Sequence, residues 1–438
     1  MVDLRRVHVT GVAGVGMSAV AQAALGAGMA VSGSDRYNDG GESLPVLAQL
    51  RGAGVHLYPQ DGSGVRAGTD AVVVSTAIEA DNPDLAAAAS AGVPVLHRSA
   101  LLARLAEGHC CLAVAGTCGK STVTGMAGWI LEQAGLDPTV VNGAPVINWQ
   151  SAARVGNVRT GGSDLWVIEA DESDRSLLNY KPRHAVVTNM SADHFDLEET
   201  RRVFESFRAR VSGLCIGALE GSAYLNGLVP GISAQGCRFV FRGVDFHLAL
   251  RGVHNVENAL HATMLCGLAG VDVEQSAAAL RTFRGIHRRL EIVPCSSGVT
   301  VIDDYAHNPA KIAAALAATV PFTRRLVVVW RPHGYGPLRS MLDGLAEAFG
   351  VLRGPSGHRL LLLPVYDAGG TADRRIGSEA LAGRLDAAGV AVECLADYAA
   401  VRQAVRQAGM EAGDTVLVMG ARDPGLPALA RALADDSA

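Results

Sequence analysis

Residues 110–122 read Cys-Cys-Leu-Ala-Val-Ala-Gly-Thr-Cys-Gly-Lys-Ser-Thr, and this stretch limits the possible folds more than any other part of the chain. An apolar run passes through a short glycine-containing turn into Lys120-Ser121-Thr122, so a strand must hand over to a helix within a few residues. Gly116 and Gly119 let the backbone turn so that successive N–H groups point inward at phosphate oxygens. The N-terminus of the following helix adds its partial positive charge. Lys120 can reach the outer phosphates of a nucleoside triphosphate, and the Ser121 hydroxyl can ligate Mg2+. Gly116, Thr117, Gly119, Lys120, Ser121 and Thr122 are therefore a candidate ATP-binding loop. The general spacing of such loops asks for glycine at 114, where this chain has Val114, so the loop is a shorter variant.

The rest of the chain predicts three α/β domains. At roughly 150 residues per domain, 438 residues suggest about three. In 1–108, apolar runs at Val7–Thr10, Ala30–Ser34, Ala71–Ser75 and Val93–Leu96 alternate with helix-length segments, which implies βαβ units and a parallel, Rossmann-like sheet. In 109–283, strands are expected at Cys110–Ala115, Leu165–Glu169 and Ala185–Asn189, and a helix at His254–Ala269. The short β-like runs between 215 and 250 have no clear order. In 284–438, strands are expected at Val299–Asp303, Arg325–Trp330, Leu360–Val365 and Thr415–Met419, after a basic, Gly285-containing hinge at 283–289.

Composition excludes several classes. With 38 basic and 43 acidic residues the net charge is −5, which does not suit tracking a nucleic-acid backbone. No signal peptide or run of 18 apolar residues is seen, so no membrane span is expected and the cytoplasm is the default location. The eight cysteines form no CxxC pair and read as reduced thiols.

Further polar constellations sit at strand ends. Glu169-Ala-Asp171-Glu172-Ser-Asp174 follows an apolar strand, where a carboxylate can hold Mg2+; a solvated acidic turn reads the same way. Thr188-Asn189-Met-Ser-Ala-Asp193-His194 also ends a strand, at the edge where α/β ligands bind. Gly11-Val-Ala-Gly14-Val-Gly16 is a glycine-rich turn able to approach a diphosphate, with Asp35 closing the next strand. A nicotinamide or flavin dinucleotide explains that turn as well as a UDP-sugar does. Asn255 and Asn258 share one helix face and suit adenine edges, or Asn255 caps the helix. Arg288-Arg289-Leu-Glu291 and Asp303-Asp304-Tyr305-Ala-His307 flank the first strand of the third domain; each alone suits a surface ion pair, or an arginine delivered to a phosphate.

In this order the pieces resemble the Mur ligase family of ATP-dependent amide-forming enzymes. The matching stretches are GVAGVGMSA (11–19), VSGSD (31–35), VAGTCGKST (114–122), EADESD (169–174), VTNMSADH (187–194), GVHNVENAL (252–260), RRLE (288–291) and DDYAHNP (303–309). Within the family the pattern is nearest the branch that joins L-alanine to UDP-N-acetylmuramate, with the murein peptide ligase branch next. The resemblance implies a UDP-sugar-binding Rossmann-like domain, a central ATPase domain and a mobile C-terminal Rossmann-like domain that receives the amino acid. It implies ATP and Mg2+ as cofactors, a UDP-N-acetylmuramate-type acceptor and an amino acid or peptide amine, in peptidoglycan precursor synthesis. It assigns catalysis to Lys120, Glu169, His194, Arg289 and Asp304, with Ser121, Glu169 and His194 around the metal. Asn255, Asn258 and Arg289 join the loop in binding ATP, and Gly11, Gly14, Gly16, Asp35, Ser75, Tyr305, His307 and His333 contact the other substrates.

The departures bear on the amine. Cys118 stands where the branch usually has His, and Asn308 where it has a second His. A segment resembling QPHRYTR reads Arg331-Pro-His333-Gly334-Tyr335-Gly336, so two arginines associated with the amino acid carboxylate are absent and Arg331 or Arg339 are candidates to substitute. The stretch 205–250 is also shorter than usual. The alternatives to an alanine ligase are therefore a divergent ligase with another amine, a non-catalytic UDP-sugar- or ATP-binding paralogue, and an oxidoreductase that leaves the Gly-Lys-Ser loop unexplained.

Overall fold

The structure is a computed structural model that describes residues 4–41, 44–191, 195–219, 221–354, 357–367 and 373–437. The chain forms two compact units, Met1–Ile232 with Gly236–Ile286, and Ser233–Gln235 with His287–Ala438. All eight cysteines are free. Among the described residues no helix is long and apolar enough to cross a membrane.

The first unit holds two mainly parallel sheets. One consists of β1 (Arg6–Thr10), β2 (Ala30–Ser34), β3 (His56–Tyr58), β4 (Ala71–Val74) and β5 (Val95–His97), in the order β3-β2-β1-β4-β5. All neighbours in it are parallel. The order reverses between β1 and β4, which opens a crevice at their carboxyl ends, where α/β sheets bind ligands. The Gly11–Gly16 turn and Ser75 both emerge there.

The other sheet comprises β6 (Cys110–Ala115), β7 (Thr139–Val141), β8 (Val158–Arg159), β9 (Leu165–Glu169), β10 (His184–Val187) and β11 (Cys215–Gly217), ordered β11-β10-β6-β9-β7-β8. Only β8 runs antiparallel to its neighbour. The central strand β6 is almost wholly buried and apolar, as a parallel strand covered on both faces must be. One side of this sheet shares a continuous apolar core with the first sheet and its helices, a cluster that includes Val7, Val20, Leu101, Ala113, Trp166 and Phe204. The other side packs against the helices Lys120–Gln133 and Val253–Gly267. A small third sheet of β12 (Gly231–Ser233), β13 (Gly236–Phe241) and β14 (Val244–Leu248) accounts for the β-like runs before 250.

The second unit contains β15 (Glu291–Val293), β16 (Thr300–Asp304), β17 (Leu326–Trp330), β18 (Arg359–Leu362), β19 (Val392–Cys394) and β20 (Thr415–Met419), ordered β15-β16-β20-β17-β18-β19. Its edge strand β15 is antiparallel and the rest are parallel. Asp304 and Trp330 both register with Met419, so the loops after β16, β20 and β17 leave the sheet side by side.

Strands expected at Ala30–Ser34, Cys110–Ala115, Leu165–Glu169 and Thr415–Met419 have those ends. The expected Val93–Leu96 is shifted to Val95–His97, because Pro94 gives its carbonyl, but no N–H, to the ladder with Val72.

Candidate functional site

In the first unit the loop after β6 is shaped by its neighbours as much as by its own glycines. Gly116 has φ +130°, and a Cβ there would lie 2.8 Å from the Thr188 backbone nitrogen, so only glycine fits. Gly119, at φ +84°, brings the backbone against the Asn258 side-chain oxygen. Asn189, just past β10, receives the Thr117 N–H on its carbonyl (3.2 Å) and the Cys118 N–H on Oδ1 (3.0 Å). The Cys118 carbonyl accepts from Thr188 Oγ1 (2.6 Å) and Asn189 Nδ2 (2.9 Å).

This corrects one expectation. The N–H groups of Thr117 and Cys118 serve the loop's own shape and do not face a ligand. The N–H groups of the helix's first turn, Lys120–Thr122, have no intrahelical carbonyl to meet, and such a helix start suits an anion.

Lys120 lies at the centre. Its Nζ donates to the Gly116 carbonyl (2.9 Å) and to Glu172 Oε2 (2.6 Å), with Asp171 Oδ1 at 3.9 Å. Burial alone would lower its pKa, but Glu172, Asp171 and Glu169 outweigh burial and hold it above the ordinary lysine value, so it is a cation at neutral pH. Glu172, only 3% exposed, was visible in the acidic run but not singled out.

Glu169, at the end of β9, accepts from the Gly143 N–H through Oε2 (2.7 Å). Asn142 ties this corner to the helix by donating to the Ser121 carbonyl (3.1 Å). Ser121 and Glu169 offer oxygen donors, the chemistry Mg2+ prefers, and Mg2+ completes its shell with water and phosphate rather than a protein cage. No cluster of three or more His, Cys, Asp or Glu forms among the described residues. His194 and Asp193 lie outside the described residues.

A cleft of about 290 Å³ joins this corner to the first sheet. It is lined by Gly14, Gly16, Ser75, Arg98, Asn142, Gly143, Glu169 and Asp171, among others. Gly11, at φ +72°, donates to the Ser34 carbonyl (2.8 Å) and turns the chain into the helix Val15–Gly26. Asp35 is buried, with both oxygens engaged by backbone N–H groups, of Ala13 (2.9 Å) and Tyr37 (3.1 Å). It braces the glycine turn from behind. Arg98, missed in the sequence, reaches the cleft from the helix Arg98–Ala106; a Cβ on Gly16 would sit 3.4 Å from its Nη1. Its Nη2 contacts Asp171 Oδ2 at 3.3 Å. The only sequence cue was its position one residue past β5, at a carboxyl end of the sheet.

Asn255 and Asn258 fall on one buried face of Val253–Gly267. The helix is capped by Gly252, without a side-chain bond, so Asn255 is not its cap. Asn255 Nδ2 donates to the Arg251 carbonyl (2.7 Å), and its Oδ1 accepts from Asn258 Nδ2 (3.2 Å). Asn258 is thereby aimed at Gly119.

The second unit gathers its residues at the carboxyl ends of β16, β20 and β17. Asp304 is buried and accepts from the backbone N–H groups of Leu290 and Ala306, both at 2.7 Å. Burial raises its pKa, against the pull of Arg289 and those two bonds. Arg288 and Leu290 both have positive φ, at +57° and +47°, so Arg289 is presented at the tip of a constrained turn. Both arginines lie over the Tyr305 ring, at 5.1 and 5.3 Å. Tyr305 meets His307 edge-on at 5.6 Å, and His307 meets His333 at 4.7 Å.

Neither expected substitute for the missing arginines is free to act. Arg331 is bound by Asp423 (2.6 Å) and Tyr398, and Arg339 by Asp373 (3.0 Å). Gly334 adopts φ +152° and ψ 155°, a conformation close to exclusive to glycine, so no arginine could stand there without rebuilding the loop. Asn308 caps the helix Pro309–Ala317 by accepting from the Lys311 N–H (2.9 Å), which accounts for that departure.

Burial, with the nearby Lys311 charge, drives the His307 pKa down to about 3; burial and Arg422 drive that of His333 to about 4. Both rings are therefore neutral in the folded state. Between pH 6.5 and these values the unfolded chain binds more protons, so stability is complete above pH 6.5 and falls as pH falls. Each ring is expected to remove about 2 kcal/mol between pH 7.5 and pH 5. Urea unfolding at the two pH values checks this, and His307→Gln should reduce the difference by about 2 kcal/mol.

Three family models match: Mur ligase family, catalytic domain, over 6–109; Mur ligase middle domain, over 114–209; and Mur ligase, glutamate ligase domain, over 288–422. A UDP-N-acetylmuramate–L-alanine ligase of Paenarthrobacter aurescens is 37% identical over 96% of this chain and 95% of its own. The chain belongs to the Mur ligase family. Another such ligase, of Synechococcus, is 33% identical over 95% of this chain and 93% of its own. Among solved structures, the UDP-N-acetylmuramate–alanine ligase of Thermotoga maritima has the same three-domain α/β fold, with a TM-score of 0.79 at 24% identity over 98% of both chains. A murein peptide ligase of Psychrobacter arcticus follows with 0.67 at 23%, over 99% of this chain and 98% of its own.

Proposed function

We propose that this Mur ligase joins the carboxylate of UDP-N-acetylmuramate to the amino group of L-alanine at the expense of ATP, in peptidoglycan precursor synthesis in the cytoplasm. The observation that carries this reading is the cleft in the first unit. It brings together the glycine turn, Ser75, Arg98, Gly143, Glu169 and Asp171, and Asp171 Oδ1 lies 3.9 Å from Lys120 Nζ. A sugar nucleotide held by the turn can present a carboxylate there.

A carboxylate is a poor electrophile, and transfer of the γ-phosphoryl group gives one of its oxygens a good leaving group while ADP departs. The amine nitrogen then attacks the carbonyl carbon, phosphate leaves, and the nitrogen loses a proton. Lys120 and Arg289 lower the repulsion between the two anions. Ser121, Glu169 and His194 are the proposed Mg2+ ligands, and the ion would screen phosphate charge. Asn255 and Asn258 shape the loop from the nucleotide side. Residues 1–108 are assigned to the UDP-sugar, 109–283 to ATP and 284–438 to the amine, with Tyr305, His307 and His333 lining its approach.

A second reading, a ligase with a different amine, is favoured by one observation: Gly334 removes an arginine, and Arg331 and Arg339 are committed elsewhere. Phosphate release with ATP, Mg2+ and UDP-N-acetylmuramate across a panel of amino acids and peptides, with mass detection of product, separates the two. Alanine-dependent product supports the first; turnover only with another amine supports the second; nucleotide binding without turnover rejects both.

A further inference from the structure

We propose that Arg422 is the anchor for the carboxylate of the incoming amino acid, in place of the arginines that the loop at 331–339 lacks. The inference rests on the ligase reading and names the residue that selects its amine. Arg422 follows β20, the strand flanked by β16 and β17, so its loop lies between those carrying Tyr305 and His333. Its backbone N–H donates to the Tyr305 hydroxyl (3.4 Å), and its charge acts on the His333 ring.

Its surroundings differ from those of the other arginines there. It is exposed, and no ion pair to it is found among the described residues, whereas Arg288, Arg331 and Arg339 each hold a carboxylate. Like Arg288, it holds a positive φ, here +63°, a left-handed conformation that L side chains rarely adopt. Such conformations persist only when the surroundings impose them. Here Asp423 imposes this one: it is gripped by Arg331 and Tyr398 and accepts from the Gly425 N–H (2.9 Å). A glycine would suit the backbone better, and no ion pair among the described residues accounts for the guanidinium, whereas Arg288 in a similar conformation is held by Asp303.

The histidines cannot supply the charge. His307 and His333 are uncharged at neutral pH and can only shape the site or hydrogen-bond. Arg289 lies over Tyr305 and acts on Asp304. Lys311 is a further cation that acts on both histidines, and it provides the contrasting variant. A guanidinium suits the task because its fork matches a planar carboxylate with two parallel N–H bonds.

The test measures steady-state turnover of the full chain with ATP, Mg2+, UDP-N-acetylmuramate and either L-alanine or L-alaninamide, which lacks the carboxylate. Arg422→Gly relieves the backbone, so the fold should persist with an unchanged or higher Tm. Its KM for L-alanine should rise about 10- to 100-fold with kcat nearly retained. The preference for alanine over alaninamide should collapse, and Arg422→Lys should restore part of it. An unchanged alanine KM, a retained preference, or a collapse seen only in Lys311→Met would overturn the assignment. Hydroxylamine, added to the unsubstituted protein in place of the amino acid, traps an acyl phosphate as hydroxamate. Hydroxamate without an Arg422 effect rejects the anchor alone. No hydroxamate and no turnover with any amine removes the ligase reading and the anchor with it.

Discussion

Lys120→Ala is expected to lower ATP-dependent turnover by at least about 10³-fold, because the transferring phosphate loses the one buried cation of its loop. The same change should also destabilise the first unit, by a separate route. Lys120 and Glu172 form a close pair at 2.6 Å, with side chains 13% and 4% exposed. Removing the ammonium leaves an unpaired buried carboxylate beside Asp171, which typically costs about 3–5 kcal/mol. Glu172 is already pushed up by burial, and without Lys120 it would titrate higher still. Protonation then relieves the cost, so the stability deficit of Lys120→Ala should be small near pH 5 and grow towards pH 8. The double variant Lys120→Ala/Glu172→Gln should recover stability at pH 8 and recover no turnover. Urea unfolding and phosphate release read the two effects apart. Near-normal turnover in either variant would sink the assignment of this loop.

That pair also shows what sequence could and could not reveal. The loop was legible because its chemistry is contiguous: strand, glycines, lysine and hydroxyl lie within 13 residues, and each type has a physical reason to be there. The parallel sheets were legible for a similar reason, since β6, β9 and β20 are long, apolar and buried on both faces. What failed to show was whatever depends on elements far apart in the chain. Glu172 was one carboxylate among four in 169–174, and only folding decides that it, rather than Glu169, meets Lys120. Arg98 sat in an ordinary helix start, and its place in the cleft depends on Gly16, 82 residues earlier. The edge strands β3, β15 and β19 have three residues each and are partly exposed, too short to show a period. Asp35 and Asp304, expected as a substrate contact and a catalytic group, each hold one backbone N–H on each carboxylate oxygen, a bracing role that depends on loops distant in sequence.

Asp304 is thus expected to act through Arg289 rather than on the reacting groups. Its two oxygens fix the N–H groups of Leu290 and Ala306, so they join the turn that carries Arg289 to the end of β16. Asp304→Ala strands two buried donors, at about 1–3 kcal/mol each, and the unfolding free energy should drop accordingly. With the turn loosened, Arg289 no longer holds a fixed place, and kcat should fall about 10²-fold with little change in the KM for alanine. Asp304→Asn is nearly isosteric, yet its amide nitrogen must face one of the two N–H groups, so it should recover only part of both losses. The decisive comparison is a double-mutant cycle. If Asp304 works only by placing Arg289, then Asp304→Ala added to Arg289→Ala costs no further turnover, although it still costs stability. Additive losses in kcat would show that the carboxylate meets the reaction directly. That outcome would place the contact on the second lone pair of an oxygen, which the backbone N–H groups of Leu290 and Ala306 leave open.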